Sequence, residues 1–244
     1  MAKSSVAIIG SNRLAKELFE LSQEKGLEAT LHPDAGGIAA SVCLVVETHA
    51  ADEEHKRGIL RKLDAHLPPS CILLTSCLGA AATRIASWTM RPERVVGFAT
   101  FYPLKEKKVI ELAAGLRTRE ESTQEAESFF RVLDKETARV KDGSGLVFPR
   151  IFSLIINEAV RSLDEGVAQA EEIDVAMRLG TNYPLGPLRW ADQVGLDEVL
   201  AVLEGLQRET GDDRYRPAPL LKKMVLAGWL GESSGRGFYV YDER

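Results

Sequence analysis

Short apolar segments alternate with amphipathic segments through the first 140 residues, and this alternation constrains the fold more than any other feature of the chain. Residues 6–9 are a continuous apolar run, typical of a strand buried on both faces. Leu14, Leu18 and Leu21 then recur at helical spacing. Further strands are predicted at 29–31, 42–46, 71–75, 95–98, 109–112 and 138–140. This order predicts an α/β domain with a doubly wound, mostly parallel sheet.

The second part of the chain is predicted to be entirely helical. The turn-forming segment KDGSG interrupts the alternation at 141–145, and it predicts a boundary between a domain at 1–145 and a domain at 146–244. Before it, Thr118 and Glu121 have the spacing of a capping box. Helices are predicted at 146–166, 170–179, 196–207 and 219–227.

Composition excludes several classes of function. The formal net charge of -5 shows no basic excess that would attract a nucleic acid. The three cysteines lie in apolar runs without metal-binding spacing, which predicts buried thiols in a reducing compartment and no metal site. No apolar run approaches the length of a membrane span. We therefore expect a soluble cytoplasmic protein without a nucleic-acid or membrane partner.

The turn after the first strand resembles the dinucleotide-binding fingerprint G-x-G-x-x-G with its later glycines replaced. Gly10 holds the first position and Ala15 is a tolerable third, but Asn12 holds the second. Asparagine tolerates positive φ, so the turn is expected to survive while the side chain occupies space that a pyrophosphate needs. After the second strand, Pro33 holds the position of the ribose-binding acid and Asp34 follows one residue late. The pattern predicts a Rossmann-type domain in which NAD binding is weak or lost.

Three longer segments resemble the short-chain L-3-hydroxyacyl-CoA dehydrogenase family. They read RPERVVGFATFYPLKEKKVIELAAG, NEAVRSLDEGVAQAEEIDVAMRLGTNYPLGPLRWAD and YRPAPLLKKMVLAGWLGESSGRGFYVYDE. The resemblance implies oxidation of an acyl-CoA 3-hydroxyl with NAD, and a homodimer formed through the helical domain. An apolar surface for that dimer is predicted at Ile151, Leu154, Ile155, Leu196, Leu200, Leu203, Leu220, Leu221 and Leu226.

The resemblance also implies that most catalytic positions have changed. Ala99 stands where the family has its histidine base, while the glutamate that holds this histidine is present as Glu111. Leu78 replaces a serine that binds the substrate oxygen, Ser76 stands at the asparagine before it, and Pro149 replaces a second asparagine. The chain is thus predicted to lack the usual proton-transfer residues.

Two charged residues match family positions near the nicotinamide ribose and the substrate. These are Glu47 at the end of the third strand and Lys56 on the next helix, although a solvated carboxylate and a surface lysine would explain them equally well. Of the four histidines, only His49 follows a strand end at which ligands of such sheets bind.

Two functions follow from these patterns. The first is a dehydrogenase homologue that serves as a non-catalytic or weakly active binding or partner subunit. The second is an active NAD-dependent dehydrogenase for an acyl-CoA or another hydroxy acid, with Glu47, Glu111 or His49 in relocated acid–base roles. Asn12 and Ala99 favour the first.

Overall fold

The computed structural model describes residues 5–241, which belong to two compact units, Met1–Val147 and Phe148–Arg244. We call these the first and the second unit. The first contains the sheet of the described residues, and the second is helical.

The first unit contains one seven-stranded sheet within the described residues. Its strands are β1 Ser5–Ile9, β2 Glu28–His32, β3 Leu44–Glu47, β4 Ile72–Ser76, β5 Val95–Ala99, β6 Val109–Ala114 and β7 Glu136–Arg139. Their order is β2-β1-β3-β4-β5-β6-β7, and every neighbouring pair is parallel except β5 and β6. The predicted doubly wound, mostly parallel sheet is confirmed.

Helices connect these strands and cover the sheet. They are α1 Arg13–Glu24, α2 Glu53–His66, α3 Ala82–Ala86 and α4 Glu120–Val132. The apolar face of α1 contains Leu14, Leu18 and Leu21, the three residues whose spacing predicted the helix, together with Ala15. They pack in one cluster with apolar residues of the sheet and with Phe129 and Phe130 of α4. Burial of this apolar surface is the main force that holds α1 and α4 against the sheet.

The second unit contains five α-helices among its described residues. They are α5 Phe148–Asp164, α6 Ala170–Thr181, α7 Pro187–Val194, α8 Leu196–Thr210 and α9 Pro219–Leu226. The all-helical prediction is confirmed, although the sequence patterns missed α7 and also α3 of the first unit. Of the predicted apolar surface, Leu196, Leu203 and Leu221 are buried within the unit, whereas Ile151 and Leu226 are strongly exposed.

Two local predictions are wrong. Thr118 does not cap α4, because its hydroxyl donates to the Val95 carbonyl and accepts from the Gly115 amide, and Arg119 occupies the N-cap position. Cys43 is exposed rather than buried, since it precedes β3 at the amino-terminal edge of the sheet. Over residues 5–241, no helix combines the length and apolarity required to cross a bilayer.

Candidate active site

Strand topology places the expected ligand edge of the first unit at the carboxyl ends of β1 and β3. The chain passes from β1 to β2 on one side and then crosses to β3 on the other side of β1, so the strand order reverses between β1 and β3. Open α/β sheets bind ligands outside the carboxyl ends of strands at such a switch point. Gly10 follows β1 there, and Glu47 ends β3.

Gly10 makes the tight turn that the fingerprint requires. Its φ is +146°, a value that side-chain-bearing residues rarely adopt, and its amide donates to the His32 carbonyl at 2.9 Å. A Cβ at this position would lie 2.1 Å from Thr48 Oγ1. The first glycine position of the fingerprint is therefore intact.

Asn12 does not adopt the positive φ that the sequence suggested. Its φ and ψ are -74° and 169°, an extended conformation, and it is the N-cap of α1. The side-chain Oδ1 accepts from the Ala15 amide at 2.9 Å and lies 3.0 Å from Thr48 Oγ1, which is equally close to the Ile9 carbonyl. Nδ2 donates to the Thr48 carbonyl at 3.3 Å. We call this set of three contacts the Asn12–Thr48 latch.

The segment after β2 places its acidic residue in a local turn. Asp34 is exposed, and its Oδ1 accepts from the Gly36 amide at 2.7 Å. β2 itself ends at His32, whose imidazole contacts Thr30 Oγ1 at 2.9 Å. The acidic residue that follows one position late, Asp34, thus uses its carboxylate in a hydrogen bond within its own loop.

Glu47 and Lys56 form a buried ion pair, so their interpretation as solvated surface residues is wrong. Glu47 is completely buried and Lys56 is 3% exposed. Lys56 Nζ lies 2.6 Å from Glu47 Oε2 and donates to the carbonyls of His49 and Ser76 at 2.7 Å each. Thr75 Oγ1 donates to the same carboxylate oxygen at 2.7 Å. The pair joins α2 to the carboxyl ends of β3 and β4.

His49 is held by the other oxygen of the Glu47 carboxylate. Oε1 accepts from the His49 backbone amide at 2.6 Å and lies 3.0 Å from His49 Nδ1. The ring is 18% exposed and makes an edge contact with the His55 ring, with the centroids 5.0 Å apart. An ionised Glu47 favours the tautomer with hydrogen on Nδ1, which leaves Nε2 as the basic nitrogen.

The pKa of Glu47 is lowered despite its burial. Desolvation alone would raise this pKa, but the Lys56 ammonium and the hydrogen bonds from His49 and Lys56 outweigh it. The carboxylate therefore stays ionised at neutral pH and accepts hydrogen bonds from both Lys56 and His49.

Ala99 lies directly opposite Glu111 in the antiparallel pairing of β5 and β6. Residues paired in this way have neighbouring Cβ atoms, so a histidine at 99 would reach the carboxylate, whereas the methyl group has no proton to exchange. Glu111 Oε2 instead accepts from the Val147 amide at 2.8 Å. Leu78 is completely buried after β4, and Pro149 is the second residue of α5 in the second unit.

Sequence reasoning missed Thr48 and Thr75 and did not anticipate the contact between Glu47 and His49. The contact between Glu47 and His49 could have been predicted, because residues two apart along an extended chain point to the same side. Thr48 had no signal of its own, since its partner Asn12 is 36 residues away. No group of three or more His, Cys, Asp or Glu side chains suited to a metal ion occurs in the described part of the chain.

Comparisons with known proteins agree with this architecture. The family described as "3-hydroxyacyl-CoA dehydrogenase, NAD binding domain" matches residues 20–143, and "3-hydroxyacyl-CoA dehydrogenase, C-terminal domain" matches residues 145–241. The first match begins after the Gly10–Ala15 turn.

Similar proteins carry related names. A "Probable 3-hydroxybutyryl-CoA dehydrogenase" of Bacillus subtilis is 41% identical over 82% of this chain and 70% of its own length. A "3-hydroxybutyryl-CoA dehydrogenase" of Bradyrhizobium diazoefficiens is 37% identical over 98% of this chain and 83% of its own length. The crystal structure of FadB2 from M. tuberculosis has a TM-score of 0.85 at 28% identity and covers 99% of this chain and 100% of its own. From the matched domains and these relatives, the chain belongs to the 3-hydroxyacyl-CoA dehydrogenase family.

Proposed function

We propose that this member of the family is a non-catalytic or weakly active binding or partner subunit. The observation that carries the proposal is the Ala99–Glu111 pair, in which the surviving glutamate faces a methyl group. Oxidation of a secondary alcohol by hydride transfer requires a base for the hydroxyl proton, typically worth 10²–10⁴-fold in rate. At this position of the sheet the chain provides none.

The positions that would hold the substrate oxygen support the same proposal. Leu78 and Pro149 have no side-chain donor. Loss of one donor to a developing oxyanion typically costs on the order of a hundredfold or more in rate. With Ala99, three of the four family positions therefore lack groups that exchange or donate a proton.

Weak binding of NAD is part of the proposal. The family implies NAD as cofactor, but Asn12 places a side chain at the start of α1, where a pyrophosphate would sit. The Asp34 carboxylate accepts from Gly36. Together these changes are expected to cost on the order of 2–4 kcal/mol, which moves a micromolar site toward millimolar.

An acyl-CoA-type small molecule is the proposed ligand class, and a homodimer is the proposed assembly. Exposed apolar side chains of the second unit support the dimer. They are Phe148, Ile151, Val167, Val175, Leu179, Tyr183, Leu226 and Val240. A cytoplasmic location remains a prediction from composition.

Two measurements on the full chain test the function: calorimetric titration with NAD and with acetoacetyl-CoA, and a spectrophotometric assay of acetoacetyl-CoA reduction by NADH. The proposal expects an NAD dissociation constant well above the low micromolar range. It also expects reduction of acetoacetyl-CoA by NADH at least ~10³-fold slower than by a competent family member. NAD binding in the low micromolar range together with turnover at family rates would contradict it.

A second candidate function, an active NAD-dependent dehydrogenase with a relocated base, is favoured by the contact between Glu47 and His49. A carboxylate on Nδ1 orients the ring and favours the tautomer in which Nε2 is free to accept a proton. Turnover of the unmodified protein and of His49→Ala between pH 5 and 9 separates the candidates. Robust turnover by the unmodified protein that is lost in His49→Ala would establish the second.

A further inference from the structure

We infer that the Asn12 side chain is an internal occupant of the pyrophosphate position, and that a single substitution, Asn12→Gly, opens this turn to NAD. The inference rests on the proposed weak binding of NAD and names its cause. The first-turn donor that a phosphate oxygen would use is already bound by an oxygen of the chain itself.

The contacts of the Asn12–Thr48 latch hold the Asn12 side chain in one position. Oδ1 accepts from the Ala15 amide at 2.9 Å and lies 3.0 Å from Thr48 Oγ1, whose single proton is shared between Oδ1 and the Ile9 carbonyl, also at 3.0 Å. Nδ2 donates to the Thr48 carbonyl. The side chain is therefore tied to α1 on one side and to the end of β3 on the other, across the switch point of the sheet.

The chemistry of the donors explains the competition. Free amides at a helix N-terminus attract the phosphate oxygens of a dinucleotide because they point outward and carry partial positive charge. Asn12 Oδ1 satisfies the Ala15 amide in the way a phosphate oxygen would. A phosphate that binds the Ala15 backbone amide must first displace Asn12 Oδ1 from it. The Cβ, Cγ and Nδ2 atoms of Asn12 would still occupy the space through which the phosphate approaches.

The backbone around Asn12 permits the substitution. Its φ of -74° and ψ of 169° suit glycine and alanine alike. Glycine is also an acceptable N-cap residue, and replacement of asparagine by glycine at such a position has little effect on helix stability. Gly10, which sets the turn, is unchanged. Asn12→Gly is thus expected to keep the fold while removing the occupant.

The experiment compares three ligands by isothermal titration calorimetry on the full-length chain. NAD and ADP-ribose contain the pyrophosphate, whereas adenosine lacks it. Asn12→Gly is expected to bind NAD and ADP-ribose at least tenfold tighter than the unmodified chain, with adenosine affinity unchanged. Ser11→Gly is the matched control, because it adds a glycine to the same turn at an exposed side chain and leaves the latch intact.

Asn12→Ala provides a second variant without the added flexibility of glycine. It removes the same side-chain amide and should raise the affinity for NAD and ADP-ribose by a smaller factor. Circular dichroism of each variant establishes that the fold is kept. If Asn12→Gly proved unstable, the Asn12→Ala result would decide the question alone.

The outcomes distinguish this inference from the proposed function. Unchanged, weak NAD binding in Asn12→Gly and Asn12→Ala would overturn the inference and leave the proposed weak cofactor binding in place. An equal gain in Ser11→Gly, or a gain for adenosine, would overturn it as well. Low micromolar binding by the unmodified chain with a further tenfold gain in Asn12→Gly would support the inference and contradict the proposed weak binding.

Discussion

Replacement of Glu47 by glutamine is expected to destabilise the first unit by about 3–5 kcal/mol, the usual cost of removing one partner of a buried ion pair. The carboxylate has four partners at 3.0 Å or less: Lys56 Nζ, Thr75 Oγ1, and the backbone amide and Nδ1 of His49. All four can donate. A glutamine has only one acceptor oxygen, so its amino group would face donors at the other site. Lys56 would also lose its counter-ion while only 3% exposed.

The same substitution should change the response to acid. The folded-state pKa of Glu47 lies below its ordinary value of 4.5, so the unfolded state binds the proton more readily. The stability contributed by this group is therefore present above pH 4.5 and is lost as the pH falls through the lower folded-state pKa. Glu47→Gln should lose this part of the acid dependence and show a flatter profile below pH 5.

Urea denaturation and hydrogen exchange of β3 and β4 provide the measurement. A loss of about 3 kcal/mol corresponds to roughly a hundredfold faster exchange of amides that open with the first unit. Glu54→Gln is the control, because Glu54 pairs with Arg57 on the exposed face of α2 and such pairs contribute about 0–1 kcal/mol. Equal destabilisation by the two substitutions, or a cost below about 1 kcal/mol for Glu47→Gln, would refute the reasoning.

Three further predictions concern the turn, the chemistry and the assembly. Gly10→Ala should destabilise the chain by at least about 2 kcal/mol, because it combines an unfavourable φ with a clash against Thr48 Oγ1; a melting temperature equal to that of the unmodified chain would contradict this. Ala99→His alone should not restore reduction of acetoacetyl-CoA, since Leu78 and Pro149 still provide no donor, and recovery of family-level rates in a spectrophotometric NADH assay would show otherwise. Light scattering at micromolar concentration should give a dimer, and a monomer mass of 26.8 kDa would contradict the proposed assembly.

Strand positions and fold class could be predicted because each central strand is a continuous apolar run. Val45, Val46, Leu73 and Leu74 are all buried, as expected of a parallel sheet covered on both faces. Helix α7, Pro187–Val194, was missed because it has only eight residues, so that the helical spacing of Leu188, Ala191 and Val194 extends over barely two turns. Helix α3 has only five residues and no periodicity to detect.

The candidate site could be predicted only in part, because its contacts join residues that are distant in sequence. The replacement of the second glycine by Asn12 was evident, but the partner of its side chain, Thr48, depends on the tertiary fold. Burial of Lys56 was likewise not predictable from a helix rich in charged residues. Composition indicates that such a lysine is solvated, whereas its contact with Glu47 is created by the packing of α2 against the sheet.

Glu111 has a structural contact in this chain that requires no histidine at position 99. Its carboxylate now accepts from the amide of Val147, the last residue of the first unit, and so fixes the end of the segment that leaves the sheet. Selection on that anchoring role would retain the glutamate even with no histidine beside it. We therefore expect that a glutamate at position 111 does not by itself predict activity, and that its neighbour across the strand pair, Ala99, is the more informative position.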